Sequence, residues 1–316
     1  MRHERFPVKP EKLLSLAVCL VMMAVFGVPA SAGSLLGYQE PDSRTQVSAV
    51  LYFRYLDSQW LGQEMRIIEV PRTESPEKAL VQALLDGPIS GGENYRALFP
   101  RGTEVLNVIV DSGRLFVTFS EHLMNPMEGE ETLTDAGKSE AILRRKLAMA
   151  SLVNTLTELG SYQTVQVLML NNPGLNTSMR LSLRYYLEDS DALPDPLVRQ
   201  EEAIITPGFA AGYILGLWKS QNWNRFSRLL ALSPSGGESL RLPGDFQTFP
   251  VLLSYQLTPG SISPDGSYAI TMLNAEMRLQ NGQEISLTEF PLKMIRHNQA
   301  WMLSQSALQK LIEAIR

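Results

Sequence analysis

Apolar and polar positions along the chain fall into short blocks with periods of two or of three to four residues, the marks of strands and helices. Val47 to Tyr55 reads Val-Ser-Ala-Val-Leu-Tyr-Phe-Arg-Tyr, a β-branched and aromatic run that predicts a strand. Leu56-Asp57-Ser58-Gln59 turns the chain, and Met65 to Val70 is the expected partner. Ser75 then stands as an N-cap before Pro76 at the first helical position. Leu80, Ala83 and Leu84 share one face, and Gly87-Pro88 stops the helix.

A hairpin follows. Leu106, Val108 and Val110 alternate on one arm and Leu115, Val117 and Phe119 on the other, with Asp111-Ser112-Gly113-Arg114 between them. A longer helix is expected from Lys138 to Leu159, its buried face carrying Ile142, Met149, Leu152, Val153, Leu156 and Leu159. Gly160 ends it, and Thr164 to Leu170 is a further strand. The acidic, proline-bearing stretch Leu187 to Pro196 reads as a boundary. Beyond it, a helix from Phe209 carries Tyr213, Leu215, Leu217 and Trp218, and a short second helix holds Phe226, Leu229 and Leu230. After a Gly/Pro/Ser-rich stretch come strands near Val251–Leu257, Tyr268–Leu279, Glu284–Ile295 and Ala300–Leu303, then a terminal helix from Ser306. Asn281-Gly282 and His297-Asn298-Gln299 are the expected hairpin turns. The pattern predicts an α+β protein of two domains, at 46–196 and 200–316, each a mainly antiparallel sheet with packed helices.

The beginning of the chain follows a different logic. Arg2, Arg5, Lys9 and Lys12 precede an almost wholly apolar run, Leu13 to Val28, which ends at Pro29-Ala30-Ser31-Ala32-Gly33. That is the pattern of a secretory signal peptide over residues 1–32, so an extracytoplasmic protein of the cell envelope is expected, exported by this segment. The membrane is expected to touch the chain only through this segment, and only if it stays uncleaved. Cys19 lies inside the apolar run, and bulky Val18 stands where a lipobox needs a small residue.

Composition narrows the function classes. With 316 residues, 19% charged and a formal net charge of −5, the chain offers no basic footprint for a phosphate backbone, which argues against nucleic-acid binding. A single cysteine excludes a disulfide framework and a cysteine-based zinc site.

Candidate chemistry is sparse. After the leader only His122 and His297 remain, both in predicted loops, and no nucleophile elbow, phosphate-binding loop or His-Glu-x-x-His occurs. A carboxylate pair for glycan hydrolysis would have to come from Glu128, Glu130, Glu131 and Asp135, which equally suit a helix N-terminus. Glu188, Asp189, Asp191 and Asp195 lack the glycine of a calcium loop and read as a solvated linker. Arg144-Arg145-Lys146 reads as a solvated helix face. No catalytic, cofactor-binding or metal-ligating residue is assigned, and no cofactor is expected. Tyr213, Trp218, Trp223, Tyr255 and Trp301 are the candidate lining of a pocket, with core packing as their alternative use.

The order of motifs in the first half resembles the GerMN-domain family of GerM-like sporulation and spore-germination proteins. The residues that carry the resemblance are Leu51-Tyr52-Phe53, Ser75 to Leu80, Leu84 to Pro88, Phe99 to Leu106, Gly113 to Ser120, Val153 to Glu158 and Val165 to Leu168. The pattern departs from the family after Leu170, where Asn171-Asn172-Pro173 replaces the expected glycine turn. The resemblance implies a non-enzymatic scaffold or binding protein of the envelope, acting in sporulation or germination by protein–protein assembly. Its partners would be other envelope proteins, with self-association and peptidoglycan contact as further expectations. Residues 200–316 are similar in element order to the cone-shaped nuclear-transport-factor-two-like fold, with Ala300-Trp301-Met302-Leu303 as the residue-level cue. Two other functions compete: a carboxylate-dependent peptidoglycan-modifying enzyme, and a small-molecule receptor using the C-terminal domain.

Overall fold

The computed structural model describes residues 44–90, 94–127, 130, 134–172, 174, 177–231 and 246–315. The expected leader at 1–32, Glu128, Glu131 and most of the Gly/Pro/Ser-rich stretch lie outside the described residues.

Strands β1 (Thr45–Tyr55) and β2 (Leu61–Val70) form an antiparallel hairpin running from Thr45↔Val70 to Arg54↔Leu61. The second strand starts earlier than its alternation suggested. β3 (Tyr95–Arg96) pairs with the other edge of β1. Helix α1 (Pro76–Asp86) begins and ends as its caps dictate: Ser75 Oγ accepts from the Lys78 N–H at 3.2 Å, and Gly87 takes φ 89°.

A second sheet has the order β4 (Val105–Asp111), β5 (Arg114–Phe119), β6 (Thr164–Asn172), β7 (Thr177–Arg180). The β4–β5 turn places Ser112 at φ 49° and Gly113 at φ 77°, the pair of positive angles that a tight two-residue hairpin needs. β5 and β6 run parallel, with Val117 opposite Val167, because helix α2 (Asp135–Thr157) carries the chain back across the sheet between them. The first half therefore builds two small sheets, where the sequence pattern suggested one.

Helix α2 joins them. Every residue from Leu147 to Thr157 is buried, not one face alone, because the helix packs against β1 of one sheet and β6 of the other. Its buried polar side chains are bonded: Ser151 Oγ donates to Tyr52 O at 2.5 Å, and Thr155 Oγ1 accepts from Tyr52 N–H at 3.3 Å. Asn154 donates to Gln200 O at 2.9 Å and accepts from Gln200 N–H at 2.8 Å, pinning the segment after the acidic stretch. Leu159, expected on the buried face, lies past the helix end and is 69% exposed.

The second half places α3 (Pro207–Lys219) and α4 (Trp223–Arg228) before a five-stranded sheet of order β8-β12-β11-β10-β9. The strands are β8 (Leu230–Ala231), β9 (Val251–Ile262), β10 (Tyr268–Arg278), β11 (Glu284–His297) and β12 (Ala300–Ser304), followed by α5 (Gln305–Ala314). β8 pairs parallel to β12 and the other pairs are antiparallel. Leu229 and Leu230, expected on the short helix, instead cap it and enter β8. The α+β class holds in both halves. Among the described residues no helix is long and apolar enough to cross a membrane.

One continuous core runs from Ala49 to Ile315. The halves meet through hydrogen bonds as well: the Tyr55 hydroxyl donates to Trp301 O at 2.7 Å, and Ile205 N–H donates to Leu61 O at 2.8 Å. The β11–β12 turn at His297-Asn298-Gln299 grips β2. Gln299 donates from Nε2 to Met65 O at 3.0 Å and accepts from Met65 N–H, so its amide stands in for a neighbouring strand.

Candidate functional site

An apolar cleft of about 760 Å³ opens where the turn after β1 meets the start of α3 and the far end of β9. Trp60 and Phe209 stack across it, ring centroids 4.9 Å apart and planes 14° from parallel. Phe209 is placed by the helix start: the Thr206 side chain accepts from Phe209 N–H at 3.2 Å, and Pro207 occupies the first helical position. Tyr213 and Tyr255 supply the polar rim, and the Tyr255 hydroxyl donates to Gly212 O at 2.9 Å. Burial raises the pKa of both phenols, so they remain neutral donors. The lining contains no charged side chain, and the surface favours a neutral, apolar occupant.

The structure does not bring the five sequence-predicted aromatics together. Only Tyr213 and Tyr255 share this cleft. Trp218 is buried in the core, its indole donating to Pro250 O at 2.9 Å. Trp223 stacks on Phe246 at 5.7 Å, inside a cluster with Phe226 and Phe249. These two tryptophans edge a separate, smaller cleft. Trp301 is buried on β12 beneath the Arg296 guanidinium, 5.7 Å from its ring. The residues that sequence reasoning missed are Trp60 and Phe209. A tryptophan beside a hairpin turn and a phenylalanine just inside a Thr-Pro-Gly helix start were the available signals, since both positions face outward from their own element.

A second cleft, of about 710 Å³, gathers Arg54, Arg96, Arg101 and Arg144 beside Asp57 and Glu140. Arg54 is buried and committed: it forks onto Glu140 and donates to Ser58 O at 2.7 Å and Asp57 O at 3.0 Å. Asp57 pairs with Arg225 at 2.8 Å.

Of the carboxylates weighed for hydrolysis, Glu130 is buried and serves the fold. It accepts from Met127 N–H at 3.1 Å and pairs with Arg145 at 2.6 Å. Arg145, expected on a solvated face, is 3% exposed and lies over the Tyr185 ring at 5.3 Å. Its partners come from two distant segments, which no local charge pattern reveals. Asp135 sits exposed in the first turn of α2, and His122 and His297 are exposed. Asp189 and Asp191 of the acidic stretch pair with Arg184.

A family model described as Germane, sporulation and spore germination, matches residues 50–174. No curated protein matches the sequence. Among solved structures, the tandem GerMN domains of the sporulation protein GerM from Bacillus subtilis are 17% identical with a TM-score of 0.33, over 76% of this chain and 63% of that one. The chain thus spans less than two thirds of that structure. The first GerMN domain of the same protein is 21% identical, TM-score 0.26, over 47% of this chain and 98% of that one. A putative lipoprotein from Clostridium perfringens is 17% identical, TM-score 0.24, over 44% of this chain and 88% of that one. The family match ends at residue 174, so the cone-shaped resemblance of 200–316 lies outside it. Residues 50–174 are thus similar to the Germane family of sporulation and spore germination.

Proposed function

We propose that the chain is an exported, non-enzymatic scaffold of the cell envelope that acts in sporulation or germination by holding other envelope proteins. The observation that carries this reading is strand β4, which lies inside the family-matched segment and, among the described residues, forms an open edge of its sheet. Leu106, Ile109 and Val110 are exposed on it, the last two by 52% and 50%, and from Val105 to Val110 the strand bears no charge. Unpaired backbone groups flanked by exposed apolar side chains are the requirements for adding a strand or a helix from a neighbour. The pairing of Glu130 with Arg145 supports this reading, because it ties one of the carboxylates weighed for hydrolysis into the fold.

The test is a photo-crosslinker placed at Ile109 in sporulating cells, with Gln309 on the opposite half of the chain as control. One dominant envelope partner captured at Ile109 and absent at Gln309 is expected. Multiple turnovers on peptidoglycan by the purified chain would overturn the scaffold reading.

A further inference from the structure

The five-stranded sheet has its own open edge. Strand β9 touches β10 along one side and α3 on one face, and among the described residues nothing pairs with its other side. All twelve of its residues, Val251 to Ile262, are uncharged; its register with β10 shifts between Leu252 and Ser254 and again around Pro259, so Ser254 to Thr258 is its regular stretch. Apart from β4, the remaining edges are less open to a strand, and β3 has only two residues. β2 carries Glu64, Arg66 and Glu69, and its Met65 backbone is taken by Gln299. β8 has two residues, and β7 has four, ending on Arg180.

Burial along β9 shows where a neighbour is missing. On the face toward α3, the inner residues of β10 are sealed: Leu273 is 0% exposed, Ala275 4% and Met277 0%. In β9, Leu257 and Tyr255, opposite Leu273 and Ala275, are only half-buried, as is Leu253 at the register shift beside them; Leu252, opposite Met277, is buried, while Ser254, Gln256 and Thr258 are exposed and polar. A strand laid beside β9 would set its own inward side chains within about 5 Å of this row.

Charge selects the occupant. Two copies of a chain with net charge −5 repel across most of their surface, and an uncharged edge is where they meet without like charges opposed. The strand also complements itself. In an antiparallel pair, opposed residues share a face, so centring the pair on Tyr255 places Leu253 against Leu257 twice and polar Ser254 against polar Gln256 twice.

We propose that β9 is a self-association edge: two copies pair it antiparallel about a two-fold axis at Tyr255, joining their five-stranded sheets into one and burying Leu253, Tyr255 and Leu257 between them. This association is separate from the β4 edge and stands whether or not β4 recruits a partner.

Sedimentation equilibrium of the chain purified from cells should show a reversible dimer. Leu257→Lys and Leu253→Glu should each weaken it roughly a hundredfold or more, since each seats an unpaired charge at the seam. An equimolar mixture of the two should restore a dimer of mixed composition, because Lys then faces Glu. Exposed positions give a reading independent of folding. In a Cys19→Ser background, Ser254→Cys and Gln256→Cys should form a disulfide when mixed and not when alone, because the same residue in both copies lies beyond disulfide reach. A chain that stays monomeric at all concentrations, a mixture that fails to re-associate although both variants keep wild-type melting, or equal crosslinking in the single-variant samples would each overturn the proposal.

Discussion

The two halves of this molecule are held together by different physics. Among the described residues, every buried charged side chain lies in the first half: Arg54, Glu64, Glu130 and Arg145. Each is bound by direction. Glu64 takes both Arg66 and the backbone N–H groups of Ile89 (3.1 Å) and Ser90 (2.9 Å), clamping the loop after α1. In the second half, beyond Ile205, the buried polar side chains are Ser263, Thr271 and Ser304, and the core is built from ring contacts among Trp218, Trp223, Phe226, Phe246 and Phe249. A buried ion pair tolerates little change in either partner, because removing one leaves the other charged and desolvated. A packed aromatic cluster responds to lost volume and adapts in part. The first half should therefore be specific about identity and the second about size.

Arg145→Met tests this difference most severely. It keeps much of the apolar bulk and strands Glu130, so a loss of about 3–5 kcal/mol is expected by chemical denaturation, with Glu130→Leu in the same chain recovering most of it. An absence of recovery in the double variant would erase the distinction. Phe226→Leu, at a fully buried ring in the aromatic cluster, should cost only about 1–2 kcal/mol, because apolar volume is largely kept. A cost equal to that of Arg145→Met would mean that the second half is as exacting as the first. Gln299→Ala removes the amide that bonds Met65 and Ser90, and should cost about 1–2 kcal/mol. Hydrogen exchange should then rise at β2 and at the β11–β12 turn together, whereas a rise at one alone would show that the halves are not coupled there.

Smaller effects are expected at the turns. Gly113→Val meets no neighbour within 4 Å but must hold φ 77°, so a loss of about 1 kcal/mol or more is expected from backbone strain alone. An unchanged melting temperature would contradict the turn. In the β9–β10 turn, the hydroxyls of Ser263 (2.5 Å) and Ser267 (2.8 Å) and the Ser267 N–H (3.1 Å) hold the Asp265 carboxyl well down, to about 2. A depressed carboxylate contributes stability that is present above its ordinary range and is lost as pH falls from about 4 toward 2. Carbon-detected titration of Asp265 should place its midpoint near 2, and a midpoint near 4 would mean that these bonds do not form in solution.

What the sequence determined by itself was local. Ser75, Pro76 and Gly87 bound α1 because a cap acts within one turn, and Gly113, Asn281-Gly282 and His297-Asn298-Gln299 mark turns because only a few residues tolerate those angles. The order of such signals in the first half was enough to match a family. Tertiary structure decided the rest. Whether β5 lies parallel to β6, whether Arg145 faces water or Glu130, and whether Trp60 meets Phe209 depend on segments far apart in the chain. The alternation of a strand states which side is apolar and is silent about what covers it, so the open edges at β4 and β9 became visible only when their neighbours were in place.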